Sequence, residues 1–150
     1  VHGRRDLFDA LIAAVDDDDA AAGAAETTVV LLGDLVDRGP DSAGVIAAAR
    51  EWVERRRVRL LAANHEEMFL ESFTDAEMLR NLSAAEDYIT AGDYLFVHAG
   101  IDPARPLEQQ NRSDLLWIRN RFLNHDGAFG HVVVHGHTIF DDVEDTGHRI

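Results

Sequence analysis

The chain has 150 residues, 46% hydrophobic side chains and a formal net charge of -14. This is enough for one domain with a core, and the negative charge excludes nucleic-acid binding through a basic surface. Because there is no cysteine, disulfides and thiolate metal sites are excluded, and any metal must be held by His, Asp, Glu or Asn. No apolar run approaches the roughly 18 residues of a membrane span and no leader segment is visible, so we expect a cytoplasmic protein without a membrane partner.

The N-terminal part of the chain predicts a helix followed by a buried strand. Apolar residues at helical spacing from Leu7 to Val15 predict the helix, with Asp6 as a cap. The acidic run 16–19 ends it and lacks the alternating ligands, glycine and distal glutamate of a calcium loop, so it is interpreted as a solvated loop. The apolar run 28–32 predicts the strand.

A polar stretch follows this strand and contains two carboxylates and an arginine. Asp34 stands where a metal ligand is expected and Arg38 where an anion clamp would be, because α/β proteins place their chemistry beyond the carboxyl ends of strands. Gly39 and Pro40 then break the backbone, and Ser42 can cap the next helix. A solvated turn is the alternative for this stretch taken alone, since Asp, Gly and Pro are common in turns.

The middle of the chain predicts a helix, a second strand and a second polar cluster. The helix covers 45–53, and the arginines within 55–59 are interpreted as its solvated end. The strand 60–62 runs into Asn64 and His65. Residues 68–82 are predicted as short helices with a polar break at 74–75.

The remaining part of the chain predicts a hairpin, a helix and a last strand. The hairpin pairs 88–90 with 94–97 around Gly92-Asp93, and its second strand leads to His98. A helix over 113–123 carries Arg119 on an ordinary amphipathic pattern. The strand 132–134 ends in a segment with two further histidines, His135 and His137, and 139–150 predict no clear element.

Four predicted strands therefore each end in residues that can bind a metal. A single histidine at a strand end is more often structural, but four independent coincidences are hard to explain in that way. Because loops at one edge of a sheet converge, we expect one shared site. Carboxylate, amide and imidazole ligands beside an arginine predict a metal centre that binds phosphate, and two metals about 3.5–4 Å apart would clamp an in-line displacement. The residues at the four strand ends are Asp34, Asn64-His65, His98 and His135/His137.

The same residues fall into motifs of a known family. The chain resembles the metallophosphoesterases, in particular phosphoprotein-phosphatase-like bacterial members related to serine/threonine phosphatases and symmetrical diadenosine tetraphosphatases. The GDxVDRG motif is highly specific, whereas HAG or GHT alone is weak. The motifs stand, in the family's order, as Val1-His2-Gly3, Gly33-Asp34-Leu35-Val36-Asp37-Arg38-Gly39, Ala63-Asn64-His65-Glu66, His98-Ala99-Gly100 and Gly136-His137-Thr138.

The resemblance implies an α/β metallophosphoesterase sandwich of two mixed β-sheets flanked by helices. It also implies two divalent ions, with Mn favoured and Fe, Zn, Ni or Mg as alternatives, and a metal-bound hydroxide as nucleophile. Asp34 would bridge the ions, His2 would bind the first, and Asn64, His98 and His137 would bind the second. His135 is the alternative to His137 as a ligand.

Four other residues receive catalytic roles from the resemblance. Arg38 and Arg119 would hold the phosphoryl oxygens, while His65 would protonate the leaving oxygen and Asp37 would orient its ring. Of the other histidines, His125, His131 and His148 match no motif and are assigned to the surface.

The chain departs from the family pattern in places. We expect a single metallophosphoesterase catalytic domain over 1–150 that omits the first strand with its Asp ligand, part of a cap region and the final strands. Continuity of the chain at 73–76 is accordingly open. Ala63 stands where the family has glycine, which requires a negative φ at that turn.

The resemblance predicts a two-metal phosphoester hydrolase, most simply a serine/threonine-phosphatase-like phosphomonoesterase. A diadenosine polyphosphate hydrolase is one alternative, and an inactive phosphate-binding or scaffold member is the other. The partner would be a phosphorylated substrate: a phosphoprotein, a dinucleoside polyphosphate or a small phosphoester.

Overall fold

A computed structural model describes residues 1–23, 26–72 and 85–150. These residues form two β-sheets with helices packed against them, which confirms the predicted α/β class. The elements in chain order are α1 (Arg5–Ala22), β1 (Val29–Leu31), α2 (Ser42–Arg55), β2 (Val58–Leu60), α3 (Asn64–Ser72), β3 (Tyr88–Ala91), β4 (Tyr94–Val97), a 3-10 turn (Leu107–Gln109), α4 (Arg112–Trp117), α5 (Asn120–Leu123) and β5 (Val132–Val134).

The two sheets differ in their strand directions. β1 and β2 form a parallel pair in which Val29 lies opposite Val58. The other sheet has the order β3-β4-β5, with β3 and β4 as the predicted antiparallel hairpin and β5 parallel to β4. The expected mixed character therefore holds for the three-stranded sheet, while the described strands of the other sheet are parallel.

The carboxyl ends of the two sheets meet. The carbonyl oxygen of Leu32, just after β1, lies 2.7 Å from Nδ1 of His98, just after β4. The amide of Gly136, just after β5, donates to the carbonyl of His98 at 2.8 Å. The chain segments that leave β1, β4 and β5 are thus joined at one place.

Two hydrophobic cores support this junction from either side. In the first, α1 and α2 cover β1, and Phe8 packs edge-on against the fully buried Trp52 with ring centroids 6.0 Å apart. In the second, α4 and α5 cover β4 and β5 through Leu115, Ile118 and Phe122. Both cores lie behind the strand ends, which places the polar residues that follow the strands on rigid elements.

The prediction of a solvated acidic loop at 16–19 was wrong. These aspartates lie in the last turns of α1, which continues to Ala22. Arg56 pairs with Asp16 at 3.0 Å and with Asp19, so it offsets the repulsion within the run. Arg59, predicted at a solvated helix end, lies in β2 and pairs with Glu86 at 2.8 Å.

Two helix boundaries also differ from the prediction. The expected helix over 113–123 is broken at Ile118 and Arg119, where an extended Ile118 turns into the core together with Phe122. At α2 the cap is Asp41, which accepts the Gly44 amide at 2.8 Å, whereas Ser42 is the first helical residue.

Of the short helices predicted over 68–82, only the part up to Ser72 is described, as the end of α3. The predicted break at 74–75 and the question of continuity at 73–76 lie outside the described residues. None of the helices in the described ranges has the length and hydropathy needed to cross a bilayer.

Candidate metal centre

Strained backbone marks the region beyond the strand ends. Among the described residues, five other than glycine have positive φ, from 47° at His2 to 63° at Asp37. Such conformations are costly for L-residues and persist where surrounding contacts impose them, often at functional sites. All five are residues singled out from the sequence as site residues, namely His2, Asp34, Asp37, Arg38 and His137.

Tight packing shapes the loop that follows β1. A Cβ on Gly33 would lie 2.4 Å from the Cβ of Ala63, so only glycine fits at this approach. Ala63 itself is not among the residues with positive φ, which is the condition that its methyl group requires. The hydroxyl of Ser42 accepts the amide of Asp37 at 3.0 Å, which fixes the far end of the loop.

A buried carboxylate lies beneath the same loop. Glu66 is 2% exposed and accepts three consecutive amides, from Asp34, Leu35 and Val36, at 2.8, 2.7 and 3.2 Å. Burial raises the pKa of Glu66, and the three amides act in the opposite direction. Glu66 is the last residue of the Ala63–Glu66 motif, and the sequence alone gave no sign of this role.

Four side chains meet in a compact group above the junction of the sheets. Oδ1 of Asn64 lies 2.9 Å from Nε2 of His98 and 3.0 Å from Nδ1 of His137. The two imidazole nitrogens are 3.2 Å apart. Oδ1 of Asp34 lies 3.5 Å from Nε2 of His98.

Hydrogen bonds do not explain why these nitrogen and oxygen atoms lie so close together, because too few of them carry a proton. The Leu32 carbonyl can only accept, so His98 carries its proton on Nδ1, and its Nε2 is an acceptor in the neutral ring. Burial lowers the pKa of His98, and burial together with His98 and Arg119 lowers the pKa of His137 to about 4. Both rings are therefore neutral near pH 7, so at most one of the four converging atoms, Nδ1 of His137, carries a proton.

This group fits a divalent cation. Among the described residues, no hydrogen-bond partner is present for the buried Oδ1 of Asp34. Adjacent ligand atoms around one ion with bonds of about 2.1 Å are separated by roughly 3.0–3.4 Å, which agrees with the spacing of the acceptor atoms in the group. Neutral imidazole, amide oxygen and carboxylate are suitable ligands for Mn, Fe, Zn or Ni. Asp34, Asn64, His98 and His137 could therefore hold one metal.

A second group lies on the other side of Asp34. Nε2 of His2 is 3.3 Å from Oδ2 of Asp34, and Nδ1 of His2 is 3.2 Å from the Val36 carbonyl, which fixes the tautomer. The ligand atoms of His2, Asp34 and His65 all lie within 4.8 Å of one another. Asp34 thus offers one oxygen to each group, as a bridging ligand would. His65, which the sequence placed among the metal-competent residues at the strand ends and to which the resemblance gave the role of an acid, is therefore also a possible ligand here.

The guanidinium of Arg38 stands in front of this second group. It lies 3.4 Å from Nε2 of His2 and 3.0 Å from Nε2 of His65. Because arginine only donates, both imidazole nitrogens accept in this arrangement. On its other side, Nδ1 of His65 lies 2.9 Å from Oδ2 of Asp37, so the ring stands between a carboxylate and a cation. An anionic group that binds here would meet the Arg38 fork directly.

The remaining predicted residues are split between the site and its surroundings. Arg119 lies at the break between α4 and α5 and donates to Thr138 at 3.3 Å, beside His137. His135, the alternative ligand, lies away from both groups, with its ring edge-on to Phe122 at 4.9 Å. The three histidines assigned to the surface are half-buried, and His125 and His148 both contact the ring of Phe129.

Trp117 is a neighbour of the site that the sequence analysis did not single out. Its side chain is 42% exposed, its ring lies 6.2 Å from that of His137, and its indole nitrogen donates to Glu67 at 3.4 Å. An exposed tryptophan is informative only once its position is known, because exposed apolar residues are common on proteins.

Comparison with known proteins supports the resemblance found in the motifs. Residues 1–148 match the family profile described as calcineurin-like phosphoesterase. Serine/threonine-protein phosphatase 1 of Salmonella typhimurium is 29% identical over 159 aligned positions, which cover 77% of this chain and 71% of that protein. A crystal structure described as a "putative diadenosine tetraphosphatase" has a TM-score of 0.68 and 24% identity, over 91% of this chain and 71% of the other. At that identity the second likeness concerns the fold alone.

Proposed function

Because the chain belongs to the calcineurin-like phosphoesterase family, whose members are metal-dependent hydrolases of phosphoester bonds, we propose that it is a two-metal phosphomonoesterase of the serine/threonine-phosphatase type. The observation that carries the proposal is the convergence of acceptor atoms from Asp34, Asn64, His98 and His137 beside the Arg38 guanidinium. A cation would offset the repulsion between the converging acceptor atoms, and an anion would pair with the Arg38 guanidinium.

Each of the two ligand groups described above would hold one metal ion. His2 and Asp34 would hold the first ion, with His65 as a further candidate, and the buried group would hold the second. When bound, such ions activate water and offset the negative charge of a phosphoryl group. We favour Mn²⁺, because the donors are oxygen and imidazole only, and Fe, Zn, Ni and Mg remain alternatives.

Arg38 and Arg119 are proposed to bind the phosphoryl oxygens. The Arg38 guanidinium donates to one nitrogen of His2 and one of His65, which are both uncharged acceptors. An anionic phosphoryl oxygen would be a stronger hydrogen-bond partner than either nitrogen. Arg119 has a single long hydrogen bond to Thr138 and an exposed side chain, so its reorientation toward a substrate costs little. Planar, permanently charged groups suit this task better than lysine would.

His65 is proposed as the general acid that protonates the leaving oxygen. Its Nδ1 is held by Asp37, so its Nε2 is the atom that exchanges a proton with substrate or solvent. Arg38 donates to Nε2 in this structure. A phosphoryl group that draws the guanidinium toward itself would free Nε2 to take up a proton, so substrate binding and protonation of the acid are coupled.

A second candidate function is hydrolysis of dinucleoside polyphosphates. The exposed ring of Trp117 beside His137 favours it, because an adenine base can stack on an exposed indole. An inactive phosphate-binding member is the third possibility from the sequence. A cytoplasmic location stays a prediction.

A substrate panel tests these alternatives. Protein reconstituted with Mn²⁺ is assayed on a phosphoserine peptide, diadenosine tetraphosphate and 4-nitrophenyl phosphate. The proposal expects the highest kcat/KM on the phosphoserine peptide. A higher kcat/KM on the dinucleotide that falls in Trp117→Ala would instead establish the second candidate, and Mn²⁺ binding without hydrolysis of any substrate would establish the third.

A further inference from the structure

We propose that Glu66 is a positioning residue that sets the place of Asp34 between the two ligand groups. The inference rests on the metal binding proposed above, but not on the identity of the substrate. Glu66 belongs to neither ligand group, and both of its carboxylate oxygens accept backbone amides. Its effect on the metals would pass through the loop that carries Asp34.

The contacts of Glu66 are specific to this loop. Oε2 accepts the amide of Asp34, and Oε1 accepts the amides of Leu35 and Val36. These residues follow the end of β1 and have no strand partner for their amides. A buried amide without a partner is costly, so the carboxylate satisfies three donors that the sheet leaves unpaired.

The hydrogen bonds to Glu66 matter because of the backbone conformation of Asp34. Asp34 has a φ of 55°, in the left-handed region that L-residues rarely adopt. A turn of this kind needs an external partner, and the three amides that point at Glu66 supply the link. The left-handed turn directs the Asp34 carboxylate so that Oδ2 lies near His2 and Oδ1 near His98.

The place of Glu66 in the chain connects the loop to the rest of the site. It lies in the first turn of α3, two residues after Asn64, which belongs to the second ligand group. The hydrogen bonds of Glu66 therefore fix Asp34 relative to the same helix that carries Asn64.

The isosteric substitution Glu66→Gln tests this role. A glutamine can satisfy the two amides at Oε1, but its NH₂ group would face the amide of Asp34, donor against donor. Outer partners of metal ligands typically account for 10- to 100-fold in metal affinity. We expect the Mn²⁺ dissociation constant, measured by calorimetry, to rise about 10-fold or more in Glu66→Gln, with a weakened spin coupling between paired Mn²⁺ ions in electron paramagnetic resonance.

Asp102→Asn is the matched control. Asp102 is also a buried carboxylate, 3% exposed, which accepts the Ala104 amide at 3.0 Å and pairs with Arg105 and Arg121. We expect this variant to lose thermal stability and to keep the wild-type Mn²⁺ affinity. An equal Mn²⁺ affinity in Glu66→Gln and wild type would overturn the positioning role alone. No Mn²⁺ binding by the wild type would overturn the proposed metal site and this inference with it.

A measurement on the wild type decides the matter if Glu66→Gln does not fold. The hydrogen bonds to Glu66 do not require a metal, so the amides of Asp34, Leu35 and Val36 should exchange slowly with solvent after chelation as well as before it. Rapid exchange of all three amides in the folded, chelated protein would show that the ions, rather than Glu66, order the loop.

Discussion

Nε2 of His98 lies 2.9 Å from Oδ1 of Asn64, and neither atom carries a proton in the tautomer that the Leu32 carbonyl imposes on the ring. Two acceptors at this distance repel each other unless a cation lies beside both. Oδ1 of Asp34 is a further buried acceptor, and it has no hydrogen-bond partner within the part of the chain that the structure describes. This arrangement is therefore destabilising by itself and would become favourable on binding a metal.

The first prediction concerns metal content. Asp34 supplies an oxygen to each ligand group, so Asp34→Asn should reduce bound Mn²⁺ from two per chain to one or none by elemental analysis. Mn²⁺ at about 100 times its dissociation constant should stabilise the wild type by about 2.7 kcal/mol per ion bound, seen as a rise in Tm that is smaller or absent in the variant. The control Asp41→Asn preserves the α2 cap and should behave like the wild type. Two ions in Asp34→Asn would contradict the bridging role.

The second prediction separates phosphate binding from metal binding. Arg38→Ala and Arg119→Ala should leave Mn²⁺ content unchanged and each lower kcat/KM by about 10²–10³-fold, because a preorganised charged donor is lost. Arg57→Ala removes an exposed arginine that pairs with Glu26 at 3.5 Å and serves as the control. Wild-type kinetics in Arg119→Ala would restrict its role to the hydrogen bond with Thr138.

The third prediction concerns His65. His65→Asn should keep the fold and cut kcat by roughly 10²–10⁴-fold on a phosphoserine peptide, whose alkoxide leaving group needs a proton. The loss should be much smaller on 4-nitrophenyl phosphate. The control His131→Asn removes a histidine outside both ligand groups and should change neither rate. Equal losses on both substrates, or a loss of bound Mn²⁺, would point to His65 as a ligand instead.

The sequence predicted the location of the site better than its internal geometry. Short apolar runs followed by polar residues predicted β1, β4 and β5 and the meeting of Asp34, His98 and His137, because the edge of a sheet brings strand ends together. The expected contact of His65 with Asp37 is present at 2.9 Å. The catalytic roles of these residues stay predictions.

Features that depend on tertiary packing could not be predicted. The left-handed turn at Asp34 is held by partners from other parts of the chain, namely Glu66, which accepts its amide, and His2, whose amide donates to its carbonyl. The break at Ile118 overrides a regular helical pattern, because the buried side chain packs better in the core. The aspartates of α1 stay helical because Arg56, 37 and 40 residues away in the chain, pairs with Asp19 and Asp16.

The fourth prediction concerns the pH dependence of stability in chelated protein. The pKa of His137 is about 4 in the folded chain, against about 6.5 when unfolded, and burial also lowers the pKa of His98. Between these values the unfolded chain binds more protons, so the free energy of unfolding should fall as pH decreases from about 6.5 towards 4. His137→Asn should flatten this part of the profile, measured by chemical denaturation. An unchanged slope would contradict the burial of a neutral ring.

The proposed dependence of hydrolysis on two metal ions can be measured as phosphate release from 4-nitrophenyl phosphate while chelated protein is titrated with Mn²⁺. We expect no release above background before addition, then a rise that saturates at two ions per chain, as verified by elemental analysis. Full release by protein shown to contain no metal would contradict this dependence.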